Sequence, residues 1–122
     1  AFWDFMPTFV HLTHQQKTWK QKTDGISILP TLTGKSQQQP HKYLYWEFHE
    51  EGGRQAVRVG DWKLIKQKIK SGNPTFELYN LKNDPFEKRD LSAENPERVR
   101  KLKKRMDKAH TPSEMFNFGI DK

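Results

Sequence analysis

Tyr43 to Leu81 reads YLYWEFHEEGGRQAVRVGDWKLIKQKIKSGNPTFELYNL. Apolar residues recur at every second position, the period of strands with one buried face. From Tyr43 to His49 the alternation sets Leu44, Trp46 and Phe48 on one side, and Tyr45, Glu47 and His49 on the other. The first set, with Trp62, is assigned to the core. Gly52-Gly53 breaks the run, and Arg54 to Val59 resumes it with Val57 and Val59 on one face and Arg58 on the other. Gly60-Asp61 is a two-residue hairpin signal, because glycine takes the positive φ that such turns need. Trp62 to Gln67 returns with Leu64 and Ile65, and a charged connection ends at Gly72-Asn73-Pro74. Thr75 to Leu81 supplies a fourth strand with Phe76, Leu78 and Tyr79. Short runs joined by tight turns predict an antiparallel meander.

Downstream, Asn95-Pro96 offers a cap and a proline at the first helical position. From Pro96 to Ala109 one narrow stripe of Val99, Leu102, Met106 and Ala109 predicts a helix that covers one sheet face. Upstream, Phe2, Phe5, Met6, Phe9 and Leu12 fall at helical spacing. With Asp4 as N-cap and Pro7 in the first turn, a helix over 4–14 follows. Residues 15–23 read as a polar linker. Asp24 to Gly34 reads as a short helical piece with Ser27 as cap and Gly34 as stop. Residues 36–41 are a Gln-rich loop, and 110–122 a tail carrying Met115, Phe116 and Phe118. The expected fold class is α+β: a four-stranded antiparallel sheet packed on one C-terminal amphipathic helix, preceded by an N-terminal helix.

The chain has 122 residues, with 22 Lys and Arg against 15 Asp and Glu, a formal charge of +7, and 33% apolar residues. That supplies one small domain with a thin core. The lack of cysteine removes disulfides, thiolate metal sites and Cys nucleophiles. No apolar run approaches the roughly 20 residues of a membrane span. Ala1 falls inside what reads as a structured segment, with neither an initiator Met nor a charged-then-apolar leader, so the sequence reads as a piece of a longer chain.

Chemistry is sparse. No nucleotide loop, Ser-His-Asp arrangement or carboxylate pair stands out, and adjacent Glu50 and Glu51 would point to opposite faces of a strand. His11 and His14 lack a third ligand. No catalytic residue and no metal ligand is assigned. Arg98, Arg100, Lys101, Lys103, Lys104, Arg105 and Lys108 read as a solvated helix face. The alternative is a stand-alone basic module for nucleic acid, which would bind duplex with steep salt dependence, and the resemblance described below adds a stand-alone binder of sulfated glycan. His49-Glu50, followed by Gly52-Gly53 and Arg54, is a polar cluster at a strand end beside a flexible turn, where binding residues often lie.

Asp4-Phe5-Met6-Pro7-Thr8, with Asp24-Gly25-Ile26-Ser27, Leu29-Pro30 and Gly34-Lys35, is the first of three stretches that carry a resemblance: it resembles the DxxPT…DGxSLLPxLxGK pattern near the end of the main domain in the sulfatase family. Gln55 to Leu64 resembles its paired strands around R-x-G-D-W-K. Glu77-Leu78-Tyr79-Asn80-Leu81, with Asp84-Pro85, Glu87 and Leu91, resembles its closing ELYNLxxDPxExxxL signature. Order and spacing agree over about residues 4–110.

The resemblance implies that 1–35 are the last helical segments of a missing alkaline-phosphatase-like domain, and 36–122 the C-terminal subdomain. It implies hydrolysis of sulfate esters, of sulfated sugars in particular, by a full-length enzyme that uses calcium and a formylglycine. No position here matches the residues that carry those groups, so no cofactor is assigned to this sequence, and the chain alone is expected to be inactive. His49, Glu50, Arg54 and Gln55 match the E-F-H-E-x-G-G-x-Q-A-V segment of bacterial members. By resemblance they are the substrate-binding residues, and an arginine there suits an anionic sugar. The implied partners are the missing N-terminal domain and a sulfated carbohydrate, with no nucleic acid and no membrane. The implied location is periplasmic or exported. The tail from Met115 to Phe118 is expected to dock on the absent domain.

Overall fold

Tyr45, Val57, Leu64 and Leu78 stand side by side across the sheet, one from each strand. The strands are β1 (Leu44–Phe48), β2 (Arg54–Val59), β3 (Trp62–Gln67) and β4 (Thr75–Asn80), in the spatial order β1-β2-β3-β4, each pair antiparallel. The computed structural model describes residues 1–35 and 37–119. Ser36, where the Gln-rich loop begins, and 120–122, the end of the tail, lie outside the described residues. The chain divides into two units, Ala1–His41 and Lys42–Lys122.

The sheet belongs to the second unit. Helix α3 spans Pro96–Ala109, the expected range, and lays Leu102 and Met106 on Val57, Leu64 and Leu78. These five form the buried core, with Tyr43, Tyr45, Val59, Trp62, Phe76, Leu91 and Val99 packed around them. Each such side chain contributes about 1.5–3 kcal/mol when fully buried. Gly60, at φ +58°, turns β2 into β3 as expected.

One face assignment is corrected. Trp46 and Phe48 are 37% and 45% exposed, on the face away from α3. Their neighbours on β2 are Ala56 and Arg54, whereas Tyr45 stands beside the fully buried Val57. Alternation sorts β1 into two sets, but the register against β2 selects which one is buried. Trp62 does pack against the core, as expected.

Several basic residues of α3 contribute to packing. The Arg98 guanidinium lies 4.0 Å from the Trp62 ring centroid, Lys103 5.2 Å from Phe76, and Arg105 5.2 Å from Tyr43. Their stems and charges fasten the flanks of the helix to the rim of the sheet. Asn95 holds the cap position, but its side chain donates to the Leu91 carbonyl (3.1 Å) and not to the first helical turn.

The segment after β4 returns along that strand's outer side. The Leu78 amide donates to Asp90 Oδ1 (2.9 Å), and the Leu91 amide to the Leu78 carbonyl (2.8 Å). Burial would raise the Asp90 carboxyl. The donated Leu78 and Ser92 amides and the Ser92 hydroxyl outweigh it and hold that carboxyl below its ordinary value. Lys63 Nζ meets Glu87 Oε1 at 2.6 Å and ties the same segment to β3.

In the first unit a 3-10 turn, Phe2–Asp4, leads into α1 (Phe5–Leu12). Asp4 does not cap the helix as expected. Its side chain makes no cap bond, is 1% exposed, and accepts the Ile26 amide (2.9 Å) beside His41 Nε2 (2.9 Å). Thr8 Oγ accepts the Ile28 amide (3.0 Å) and donates to the Asp4 carbonyl (2.6 Å). Together the two side chains bind the Ile26–Ile28 backbone, a use that takes Asp4 away from its own helix end. Helix α2 (Leu29–Thr33) follows, with Ser27 Oγ accepting the Leu29 amide (3.3 Å) and Gly34 ending it at φ +63°.

Candidate functional site

The segment joining β1 to β2 runs through Glu51, Gly52 and Gly53 at φ +49°, +86° and +78°. Two glycines make this left-handed path inexpensive. Inside the turn the Gly53 amide donates to the Glu50 carbonyl (2.9 Å). Its other backbone bonds come from a second turn, Ile69–Ser71. The Ile69 amide donates to the Gly53 carbonyl (3.2 Å), and the Lys70 amide to that of Gly52 (2.9 Å).

The residues singled out from the sequence take different places around this turn. Glu50 and Arg54 are exposed. Arg54 lies on the sheet face away from α3, 2.5 Å from Glu51 Oε2 and 5.8 Å from the Phe48 ring centroid. Gln55, one residue on, points to the helix side. It is 6% exposed, and its Nε2 donates to the Tyr45 hydroxyl (2.8 Å). His49 is partly buried, with Nε2 3.1 Å from Glu47 Oε2 and its ring centroid 4.3 Å from that of Phe118. The geometry therefore brings Glu50 and Arg54 to solvent at one edge, and turns His49 and Gln55 inward beneath them.

Glu47 joins those inner residues, and sequence reasoning gave it no role. Its carboxylate accepts the Tyr45 hydroxyl and pairs with His110 Nδ1 at the C-terminal end of α3, in addition to His49. Burial pushes its carboxyl up, but the Tyr45 and His110 hydrogen bonds and the His110 charge prevail and hold it below its ordinary value. The Tyr45 phenol is pushed up by burial and by Glu47 beside it. His49 Nδ1 is buried and without a hydrogen-bond partner among the described residues. Alternation does put Tyr45, Glu47 and His49 on one face, so the part of this cluster that comes from β1 was legible. His110 lies too far along the chain for any local pattern to connect it.

Among the described residues of the tail, Phe118 alone is found buried in its own unit and not free to dock elsewhere. Phe118 is 3% exposed and seated on Gly53 of its own unit, while Met115 and Phe116 are 84% and 65% exposed. The missing side chain at Gly53 makes the seat.

The turn thus presents to solvent the Glu50 carboxylate and the Arg54 guanidinium, the latter paired with Glu51. Among the described residues no group of three or more His, Asp or Glu could hold a metal ion, so the residues present do not fit calcium. Among them no helix is long and apolar enough to cross a membrane.

Residues 2–112 match the family described as N-sulphoglucosamine sulphohydrolase, C-terminal. The Delta 4,5-hexuronate-2-O-sulfatase of Bacteroides thetaiotaomicron is 36% identical in an alignment of 74 residues that covers 56% of this chain and 15% of that protein. A solved structure of a protein in complex with its substrate D-glucosamine-2-N,6-O-disulfate superposes on 87% of this chain and 23% of its own, with TM-score 0.67 and 22% identity. The phosphonate monoester hydrolase of Agrobacterium radiobacter superposes on 86% of this chain and 23% of its own, with TM-score 0.58 and 16% identity. The chain thus spans less than a quarter of each of these proteins, and the fold is common to proteins named for different esters.

Proposed function

Because the chain belongs to the N-sulphoglucosamine sulphohydrolase C-terminal family, we propose that it is the C-terminal part of a sulfatase acting on sulfated sugars. The observation that carries this reading is the match over residues 2–112, which spans both units. In it, 1–35 are the last helical segments of the main domain and 36–122 the C-terminal subdomain. The division of the chain at His41 and Lys42 supports that boundary. The partner is the N-terminal domain of the same protein. The reacting groups, a formylglycine and a calcium ion, belong to that domain, and a periplasmic or exported location belongs to the same reading.

The subdomain's own part is to bind. Arg54 and Glu50 contact the sugar, the guanidinium toward a sulfate and the carboxylate toward hydroxyls, while His49 and Gln55 hold the layer beneath. Their exposed and inward placements support this division of labour. The test is sulfate release from sulfated glucosamine and from an aryl sulfate, by the 122-residue chain and by the intact protein. The chain alone should release none and the intact protein should turn over, with Arg54→Ala raising KM for the sugar. Turnover by the isolated chain, or unchanged kcat/KM in both Arg54→Ala and Glu50→Ala, would overturn it.

A further inference from the structure

We infer that the segment from His110 to Gly119 is a strap that fixes the turn carrying Glu50 and Arg54, with Phe118 and Glu47 as its positioning residues. The consequence for sugar binding rests on the reading above, but the coupling between strap and turn does not.

Phe118 is buried to 3% in a segment whose neighbours Met115 and Phe116 are largely exposed, so one ring anchors this stretch. It rests on Gly53, the residue immediately before Arg54, whose carbonyl accepts the Ile69 amide. Inside the turn the bond from the Gly53 amide to the Glu50 carbonyl is local, and the Gly52 and Gly53 carbonyls are held by the Ile69–Ser71 turn. A path of this kind is set by what packs on it. Phe118 and Ile69 both close on the position that a Gly53 Cβ would occupy.

Glu47 secures the strap at both ends. Its carboxylate pairs with His110, where the strap leaves α3, and with His49, whose ring stacks on Phe118 where the strap returns. One carboxylate therefore couples the end of the helix, the start of the turn and the anchor of the tail. His49 becomes a link in this chain of contacts: it stands between Phe118, on which its ring lies, and Glu50, the next residue of the chain.

Hydrogen exchange on the 122-residue chain tests this with Phe118→Ala, Phe118→Leu and Glu47→Gln. Phe118→Ala should speed exchange of the 50–54, Ile69 and Lys70 amides by about tenfold or more while the β2–β3 ladder keeps its rate, the sign of local opening. Phe118→Leu should restore most of that protection. Glu47→Gln should speed 110–119 and 50–54 together. Unchanged exchange at 50–54 in Phe118→Ala, or equal acceleration of every protected amide, overturns the strap. In the intact protein Phe118→Ala should raise KM for the sulfated sugar and spare kcat. Coupling in the chain with an unmoved KM would uphold the strap and sink the assignment of Glu50 and Arg54 to the sugar.

Discussion

Gly53 and Phe118 meet so closely that a Cβ placed on Gly53 would lie 2.7 Å from Phe118 Cδ1 and 3.3 Å from Ile69 Cβ. Gly53→Ala therefore meets two penalties, a left-handed backbone at about 1–2 kcal/mol and overpacking at about 1–3 kcal/mol. Gly52, at φ +86° with its nearest neighbour 4.0 Å away, meets only the first. Urea unfolding should show Gly53→Ala as clearly less stable than Gly52→Ala. Equal losses would mean that Phe118 yields without cost.

Glu47 makes stability depend on acid. Its carboxyl is held below the ordinary 4.5, so the folded chain binds fewer protons than the unfolded chain just below that value. Its contribution is complete above 4.5 and is lost as pH falls through the folded value. Asp90, held below 3.8, acts in the same sense at lower pH. Thermal unfolding from pH 7 to pH 3 should fall steeply in wild type. Glu47→Gln should start lower at pH 7 and show a shallower slope, and an unchanged slope would exclude Glu47 as the source.

The core is small enough for single truncations to matter. Met106 and Leu64 are 0% exposed and sit in the same cluster. Met106→Ala and Leu64→Ala should each cost about 2–5 kcal/mol. Because they share neighbours, the double variant should depart from the sum of the two. Additive losses in denaturant unfolding would show that α3 and β3 are packed independently.

Basic residues of α3 should differ in kind. Arg98→Ala removes a cation 4.0 Å from the Trp62 ring and should cost about 0.5–1 kcal/mol or more, counting lost packing. Lys104, exposed on the outer face, should fall within about 0.5 kcal/mol of wild type on the same change. Similar effects of the two on the unfolding midpoint would remove the distinction between packing and solvated cations.

Local patterns were sufficient for much of this fold. Asn95-Pro96 and the Val99, Leu102, Met106 stripe are contiguous signals, and α3 begins and ends where they predict. Gly60-Asp61 located the β2–β3 hairpin because one positive φ is a local requirement. The buried side of β1 was not available in this way. Both of its sets hold large apolar groups, and only the pairing of Tyr45 with Val57 chooses between them. The site divides along the same line. Glu50 and Arg54 were visible as charges beside a glycine turn, whereas the dependence of that turn on Phe118, and of Glu47 on His110, arises from contacts more than sixty residues apart.

The Leu78 hydrogen bonds to Asp90 and Leu91 bear on self-association. An outer strand with an idle amide and carbonyl is a template on which a second copy can add its own strand, and repetition of that step builds filaments. At the centre of β4 both groups are already engaged, by a carboxylate and by a returning amide. The stretch from Glu77 to Leu91 thus guards one border of the sheet against polymerisation. Asp90→Ala would release the Leu78 amide, while its carbonyl stays with Leu91, and so half-open the rim at that point.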